Sequence, residues 1–231
     1  MTVVRVNYLA RRNSRFTHDA WVRRWRQHWR LAASQPRSQT VRRYIQCEVV
    51  YDQESPAHDG AASSEYYSPD AQTANRTDAD YHAIMQRDEL QVFDRLIEEC
   101  SFIGEHSLVS GPGVGPYKIL RYLRRAPHVS EDAFGRVWRD AYARQIQNAV
   151  PGIVGYAQNA ALTGIPNGLG VAGSDEIWLD DRSEAIAAAK ALAAEFDHDW
   201  SASLLVAHAV VTSETILKAA DGTEQYRSGL V

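Results

Sequence analysis

Cysteine is scarce in this chain of 231 residues, which contains only Cys47 and Cys100. A disulfide framework is therefore not its main source of stability, and a reducing cytoplasm is the compartment we expect. No apolar run approaches the roughly 18 residues that a membrane-spanning helix requires. The amino-terminal stretch MTVVRVNYLARR is typical of a strand rather than of a secretory signal.

An excess of charge is also absent. The net charge is −4 and the isoelectric point is about 6.1, which gives no electrostatic reason to expect binding to nucleic acid or to an anionic membrane. The 45% hydrophobic and 23% charged residues are typical of a soluble globular protein. One large domain or two small ones would suit this length.

Motifs of several familiar catalytic centres are missing. The sequence has no HExxH, CxxC or GxSxG, and no GxGxxG that follows a strand. The segments DADYH (78–82) and DHD (197–199) could offer carboxylate and imidazole groups to a metal, but their polar surroundings favour solvated helix ends. We therefore expect neither a metal nor a cofactor.

What the sequence does contain is an internal repeat. The segment from Asn7, NYLARRNSRFTHDAWVRRWRQHW, is matched by RYLRRAPHVSEDAFGRVWRDAY from Arg121. With one residue inserted in the first copy, the match pairs Tyr8 with Tyr122. The glycine- and proline-rich SGPGVGP (110–116) interrupts regular structure between the copies. We predict a first repeat at 1–110, a linker at 111–116 and a second repeat with a C-terminal tail at 117–231.

Each repeat predicts the order strand, helix, strand, strand, helix, strand. Thr17 and Ser130 are suitable N-caps for the first helices. Such a βαββαβ unit is ferredoxin-like, and two units can cover each other's open sheet face. Strands are predicted at 3–9, 41–50, 117–123 and 204–212, and second helices at 87–100 and 182–196.

Particular residues carry a resemblance to a known family. They are Tyr8-Leu9, Arg11-Arg12, Trp21, Trp25 and Arg43-Tyr44-Ile45-Gln46 in the first copy, and Tyr122-Leu123-Arg124-Arg125, Phe134, Trp138 and Gly155-Tyr156-Ala157-Gln158-Asn159 in the second. The set resembles two fused copies of the EthD domain, a member of the dimeric α+β barrel superfamily. The resemblance implies an α+β fold in which two ferredoxin-like repeats close the barrel within one chain; a homodimer is left open.

The resemblance also implies a function. Related barrel proteins include dehydratases, cyclases and other lyases that act on aromatic or polyketide-like compounds, so we expect a cofactor-independent lyase that takes a small molecule of this kind. Others are cofactor-free monooxygenases or bind haem, which makes oxygen chemistry the second hypothesis. A non-catalytic protein that binds aromatic ligands is the third, because a fold alone does not establish a function.

The stretch AWVRRWRQHW (20–29) holds half of the six tryptophans. At about 100° per residue, Trp21, Trp25, Trp29 and His28 share one arc of a helix. An imidazole can exchange a proton near neutral pH, and aromatic walls suit a flat apolar substrate. The family often places a histidine four residues after the second tryptophan; here Trp29 holds that position and His28 precedes it. The alternative is a buried histidine bonded to a backbone carbonyl.

The candidate site lies mainly in the first repeat, between sheet and helix. We predict His28 or His106 as the base and Tyr8 as the partner of the reacting oxygen. Because His106 is echoed by His208, it could also mark two sites or a shared structural hydrogen bond. Substrate-binding residues are predicted to be Trp21, Trp25, Trp29, Tyr44 and Tyr67. Glu65 and Glu176 are expected in rim salt bridges, and the polar insertion at 51–80 is either a lid or a loop.

Overall fold

The computed structural model describes residues 3–52, 58–196 and 200–219. Its strands are β1 (Val3–Ala10), β2 (Val41–Asp52), β3 (Gly60–Tyr66), β4 (Ser101–Ser110), β5 (Tyr117–Arg125), β6 (Gly155–Ala161), β7 (Gly173–Leu179) and β8 (Leu204–Lys218). Its helices are α1 (His18–Ala33), α2 (Pro69–Arg76), α3 (Ala79–Val92), α4 (Glu131–Val137), α5 (Ala143–Ala149) and α6 (Arg182–Ala191). A π turn (Trp138–Tyr142) joins α4 to α5, and another (Leu192–Phe196) follows α6.

The eight strands form one closed antiparallel barrel in the order β1-β3-β2-β8-β5-β7-β6-β4. Strands β1 to β4 come from the first half of the chain, and strands β5 to β8 from the second. The halves meet along two seams, where β2 pairs with β8 and β4 pairs with β6. Both halves are therefore needed to close the barrel.

The buried apolar side chains form three clusters. One lies between the first-half strands and helices α1 and α3, a second lies between the second-half strands and α4 to α6, and a third fills the barrel interior. Alternation along each strand sends neighbouring side chains to opposite faces. In β1, Tyr8 belongs to the first helix-facing cluster and Leu9 to the barrel interior.

Helix α1 begins where its sequence predicts. The Thr17 side chain accepts a hydrogen bond from the backbone N–H of Ala20, and Asp19 adds an acidic group to the first turn. The inward arc is buried as expected, including His28, which is 6% exposed.

Glycine in β3 allows the α1 tryptophans to approach the sheet. A Cβ on Gly60 would lie 2.6 Å from Trp21 and 2.7 Å from Trp25. The second half repeats the device, because a Cβ on Gly173 would lie 2.5 Å from Trp138. The two glycines thus occupy equivalent places beneath the first helix of each half.

The strand register corrects one predicted pairing. Tyr8 lies opposite Ala62 across β1 and β3, and Arg121 lies opposite Asp175 across β5 and β7. The counterpart of Tyr8 is therefore Arg121 and not Tyr122. A one-residue shift moves a side chain to the other face of a sheet, and Tyr122 accordingly lies in the barrel interior.

The predicted helix at 87–100 is wrong in its bounds. Helix α3 ends at Val92, and Phe93 adopts an extended conformation that places its ring in the first helix-facing cluster. A short 3-10 turn at Ile97–Cys100 then leads into β4. The apolar residues after Val92 reach the core from extended chain, which helical periodicity cannot distinguish from a continued helix.

Candidate active site

A cavity of about 360 Å³ lies between the first-half sheet and helices α1, α2 and α3. Its volume is at the small end of the range for small-molecule sites. Four of the predicted site residues line it: Tyr8, His28, Trp29 and Tyr44. The cavity is therefore in the half of the chain, and on the face of the sheet, that the sequence predicts.

The histidine of the cavity is held by a carboxylate from α3. Nδ1 of His28 lies 2.7 Å from Oδ2 of Asp88, and the ring meets Phe93 edge-on with 5.7 Å between centroids. The hydrogen bond from His28 lowers the pKa of Asp88 to about 2, with help from the adjacent Arg24. An ionised carboxylate can only accept, so Nδ1 carries the hydrogen of this bond.

This arrangement determines what His28 can do. With Nδ1 protonated, a neutral imidazole has its lone pair on Nε2. Within the described residues no hydrogen-bond partner of Nε2 is found, and the side chain lines the cavity. His28 can therefore accept a proton from a bound molecule while Asp88 stabilises the resulting cation.

Two tyrosines supply hydroxyl groups beside it. Tyr8 and Tyr44 share a hydrogen bond of 3.0 Å, and Nε1 of Trp25 donates to the Tyr8 hydroxyl at 2.8 Å. Burial raises the pKa of Tyr8 well above its usual value and that of Tyr44 to about 12. Both stay protonated at neutral pH. One hydroxyl donates to the other, which leaves the second free to donate a hydrogen bond to a ligand oxygen.

The remaining predicted binding residues have other places. Trp21 and Trp25 are fully buried and stacked on each other with 4.7 Å between centroids, so they support the cavity wall from behind. Trp29 stacks on Tyr44 at 4.3 Å and does line the cavity. Tyr67 follows the end of β3 and is 47% exposed, which removes it from the cavity.

His106 is separated from His28 by the sheet itself. It belongs to the face of β4 that points into the barrel, where Nδ1 lies 3.0 Å from Oδ1 of Asn159. Burial, reinforced by the nearby Arg5, lowers its pKa to about 4. His106, the alternative base, therefore does not line the cavity. The alternation of side chains along a strand shows which residues share a face but not which face borders the cavity.

Buried ion pairs occupy the barrel interior near His106. Arg5 bonds Glu65 at 2.8 Å and Glu176 at 3.4 Å, and Lys118 bonds Glu176 at 3.4 Å and Glu214 at 3.0 Å. The two glutamates expected at the rim are thus deep inside. Each is satisfied by cations from other strands, which is what a buried charge requires.

The second half fills the place that corresponds to the cavity. Asp175 accepts hydrogen bonds from Trp138 (2.9 Å), Tyr142 (2.9 Å) and Tyr156 (2.8 Å). Burial raises the pKa of Asp175, while the nearby Arg121 acts in the opposite direction. In the first half, Ala62 corresponds to Asp175 and Tyr8 corresponds to Arg121. The half with the smaller, uncharged residues is therefore the half that contains the cavity.

A different opening exists in the second half. A groove of about 890 Å³ lies between α4 and residues 160–172, and its lining mixes arginines with acidic residues. No residue of the predicted site contributes to it.

Several cavity residues were missed by sequence reasoning. Asp88, which bonds His28, is 60 residues away from it in sequence. Glu89 lines the cavity from the same helix, and α2 comes from the insertion at 51–80. Asp78 is the N-cap of α3, as its polar surroundings suggest, whereas Tyr81 and His82 line the cavity instead of solvent. The DHD segment at 197–199 lies outside the described residues. The part of the chain that the structure describes contains no cluster of metal-ligating side chains.

Comparison with solved structures identifies the architecture. An anthrone oxidase-like protein is 10% identical, with a TM-score of 0.58 over 98% of this chain and 96% of that one. A proposed monooxygenase of Fusobacterium nucleatum is 7% identical, with a TM-score of 0.56 over 99% and 96% of the two chains. A chlorite dismutase variant of Candidatus Nitrospira defluvii is 11% identical, with a TM-score of 0.54 over 91% of each chain.

These neighbours have the dimeric α+β barrel fold, and the chain shares it: eight strands close one barrel, and helices pack against it. At such low identity the likeness establishes the fold alone. No protein-family model matches the sequence, and no curated protein matches it. None of the helices in the part of the chain that the structure describes has the length and apolar composition of a membrane span.

Proposed function

We propose that the chain is a cofactor-independent enzyme that removes a proton from a small, flat, hydroxylated aromatic or polyketide-like compound, with His28 as the base. The observation that carries this proposal is the His28–Asp88 hydrogen bond of 2.7 Å at the wall of an aromatic-lined cavity. It would act within a tandem EthD-like chain in which the first repeat holds the site.

The proposed step uses three side chains. Nε2 of His28 takes the proton, Asp88 holds the imidazole in its tautomer and offsets the charge it gains, and Tyr8 donates to the substrate oxygen on which negative charge develops. Trp25 and Tyr44 orient the Tyr8 hydroxyl through the hydrogen bonds that they make to it. The buried aromatic walls exclude water, which strengthens each of these interactions.

Two outcomes can follow from the carbanion or enolate. In the first, which the resemblance to EthD-like lyases favours, a neighbouring carbon–oxygen bond breaks and water leaves. In the second, which the anthrone oxidase-like neighbour favours, the carbanion gives its electrons to O2; one oxygen atom remains as a carbonyl group and the other leaves as water.

Haem fits the cavity poorly. Some barrel relatives bind haem, and His28 could offer Nε2 to an iron. The cavity of about 360 Å³ is small for a macrocycle, however, and Arg76 is the one arginine or lysine among its described lining residues to meet two propionates. The residues that line the cavity therefore do not fit haem.

The test is a mass-spectrometric screen of the purified protein against hydroxylated anthrones and tetralones, without added cofactor, in air and under argon. A product that has lost water in both atmospheres indicates a lyase, and an oxygenated product formed in air alone indicates an oxygenase. We expect His28→Gln to reduce turnover roughly 100- to 10,000-fold.

The matched control is Arg23→Gln, on the exposed face of the same helix. It should keep normal turnover, and circular dichroism should show both variants folded. Binding without turnover of any compound, or full activity of His28→Gln, contradicts the proposal; the first result would indicate a binding protein.

A further inference from the structure

Two polar side chains at the α2 end of the cavity have unpaired atoms. Asn75 is 7% exposed, and its Nδ2 is buried with no hydrogen-bond partner among the described residues. Its Oδ1 accepts a bond of 3.5 Å from Tyr66. Nε2 of His82, on α3, is also buried and unpartnered within the described chain. Both residues line the cavity.

Such atoms are uncommon in folded proteins, because a buried donor that loses water without gaining a partner is costly. Burial raises the pKa of the Tyr81 phenol, and the Asn75 amide acts in the opposite direction, so the two groups lie close together. Nδ2 of Asn75 nevertheless has no partner within hydrogen-bonding geometry among the described residues. An acceptor atom of a molecule in the cavity would satisfy it.

This polar end is distant from His28. In β1 and β3, Tyr8 pairs with Ala62 while Val4 pairs with Tyr66, so four residues of strand, roughly 13 Å, separate the Tyr8 and Tyr66 positions. Along α3, His82 and Asp88 are six residues apart, which corresponds to roughly 9 Å. A molecule that forms hydrogen bonds at both ends would therefore carry oxygen atoms at two separate places.

Charge restricts the kind of oxygen. Glu89 and Glu98 line the cavity, opposed by Arg76. Burial raises the pKa of Glu89, whose carboxylate already accepts from the backbone N–H of Ile97 at 3.0 Å. A further carboxylate would be repelled by the two glutamates, whereas a neutral carbonyl oxygen would accept from Asn75 without that penalty.

We infer that Asn75, assisted by His82, binds a second, neutral acceptor oxygen of the substrate, a ketone remote from the end that faces His28. The inference rests on the proposed function for the identity of the reacting end. It also gives α2 a role: in the second half β7 ends at Leu179 and α6 begins at Arg182, which leaves no room for a counterpart of α2.

The experiment compares two probes that differ in one oxygen. Hydroxytetralone carries a phenol and a ketone at opposite ends, and tetrahydronaphthol is the same phenol without the ketone. Binding of each is followed by quenching of tryptophan fluorescence in the wild-type protein, in Asn75→Leu, and in Thr73→Ala, a control on the exposed face of α2.

The wild-type protein and Thr73→Ala should bind hydroxytetralone roughly 5- to 30-fold more tightly than tetrahydronaphthol, and Asn75→Leu should lose most of that ratio. Because the ratio compares probes within one variant, a general loss of folding does not imitate the effect. The inference is overturned if the wild-type protein binds the two probes equally tightly, or if Asn75→Leu leaves the ratio of the two affinities unchanged.

The test is independent of catalysis. If the affinity ratio depends on Asn75 but the protein turns over no compound, the Asn75 site stands and only the proposed function is refuted. If turnover requires His28 but does not depend on the ketone, the proposed function stands and the Asn75 site is refuted.

Discussion

The pH dependence of stability offers a direct measure of where His106 lies. Burial in the barrel, reinforced by the neighbouring Arg5, lowers the pKa of this half-buried histidine from 6.5 to about 4. Glu176, Glu65 and the Asn159 amide also face it and act in the opposite direction, and the net direction remains downward.

The sign follows from proton uptake. Between about pH 6.5 and pH 4 the unfolded chain binds a proton at His106 and the folded chain does not, so acid favours unfolding. The contribution of neutral His106 to the free energy of unfolding should therefore be fully present above about pH 6.5 and should be lost as the pH falls towards 4. The difference corresponds to roughly 3 kcal/mol at 1.36 kcal/mol per pH unit, and partial exposure reduces it to about 2–3 kcal/mol.

The assay is urea unfolding at several pH values, for the wild-type protein, for His106→Gln and for the exposed control His128→Gln. Burial also lowers the pKa of His58, so the wild-type curve contains both contributions and the difference between variants isolates that of His106. His106→Gln should lose about 2–3 kcal/mol of the acid sensitivity, whereas His128→Gln should follow the wild type. If His106→Gln keeps the wild-type slope, or abolishes turnover while it remains folded, His106 is not the interior structural residue described above.

Two further predictions concern packing and the candidate base. Gly60→Ala should destabilise the protein by about 1–3 kcal/mol because its Cβ would lie 2.6 Å from Trp21. Gly135→Ala, in α4 with no atom within 4 Å of its Cβ, should be neutral or stabilising; equal urea midpoints for the two variants would refute the packing argument. Asp88→Asn should lower turnover roughly 10- to 100-fold, and it should also remove stability that the wild type has above about pH 4 and loses as the pH falls towards 2, because the folded pKa of Asp88 is about 2 against 3.8. Normal turnover in Asp88→Asn would show that this carboxylate does not position His28.

Much of the scaffold could be predicted from local signals. The Thr17 cap and the tryptophan spacing define α1 and turn His28 inward. Strand patterns mark three of the four predicted strands close to their observed bounds, whereas β8 continues past the predicted end at 212 to Lys218. These features depend on interactions between residues near in sequence or on the periodicity of one element. They are the part of a fold that one sequence can reveal.

The candidate site depends on contacts between residues that are far apart in the sequence, which a single sequence does not reveal. Asp88 and His28 are 60 residues apart in sequence. Helix α3, which carries Asp88, ends at Val92, whereas the sequence predicts a helix that only begins at residue 87. The side of the sheet to which His106 points depends on how β4 pairs with β1 and β6, and a one-residue alignment slip exchanged Arg121 for Tyr122. Register and long-range pairing decide such questions.

Closure of the barrel within one chain has a consequence for how its two halves can change. In a symmetric pair of identical subunits every substitution appears twice, so a residue that fills one pocket fills the other. Here Ala62 and Asp175 occupy corresponding positions but are encoded separately. One half can keep an open cavity while the other exchanges it for a buried hydrogen-bonded network, and mutations that adapt the open half to a new ligand leave the supporting half untouched.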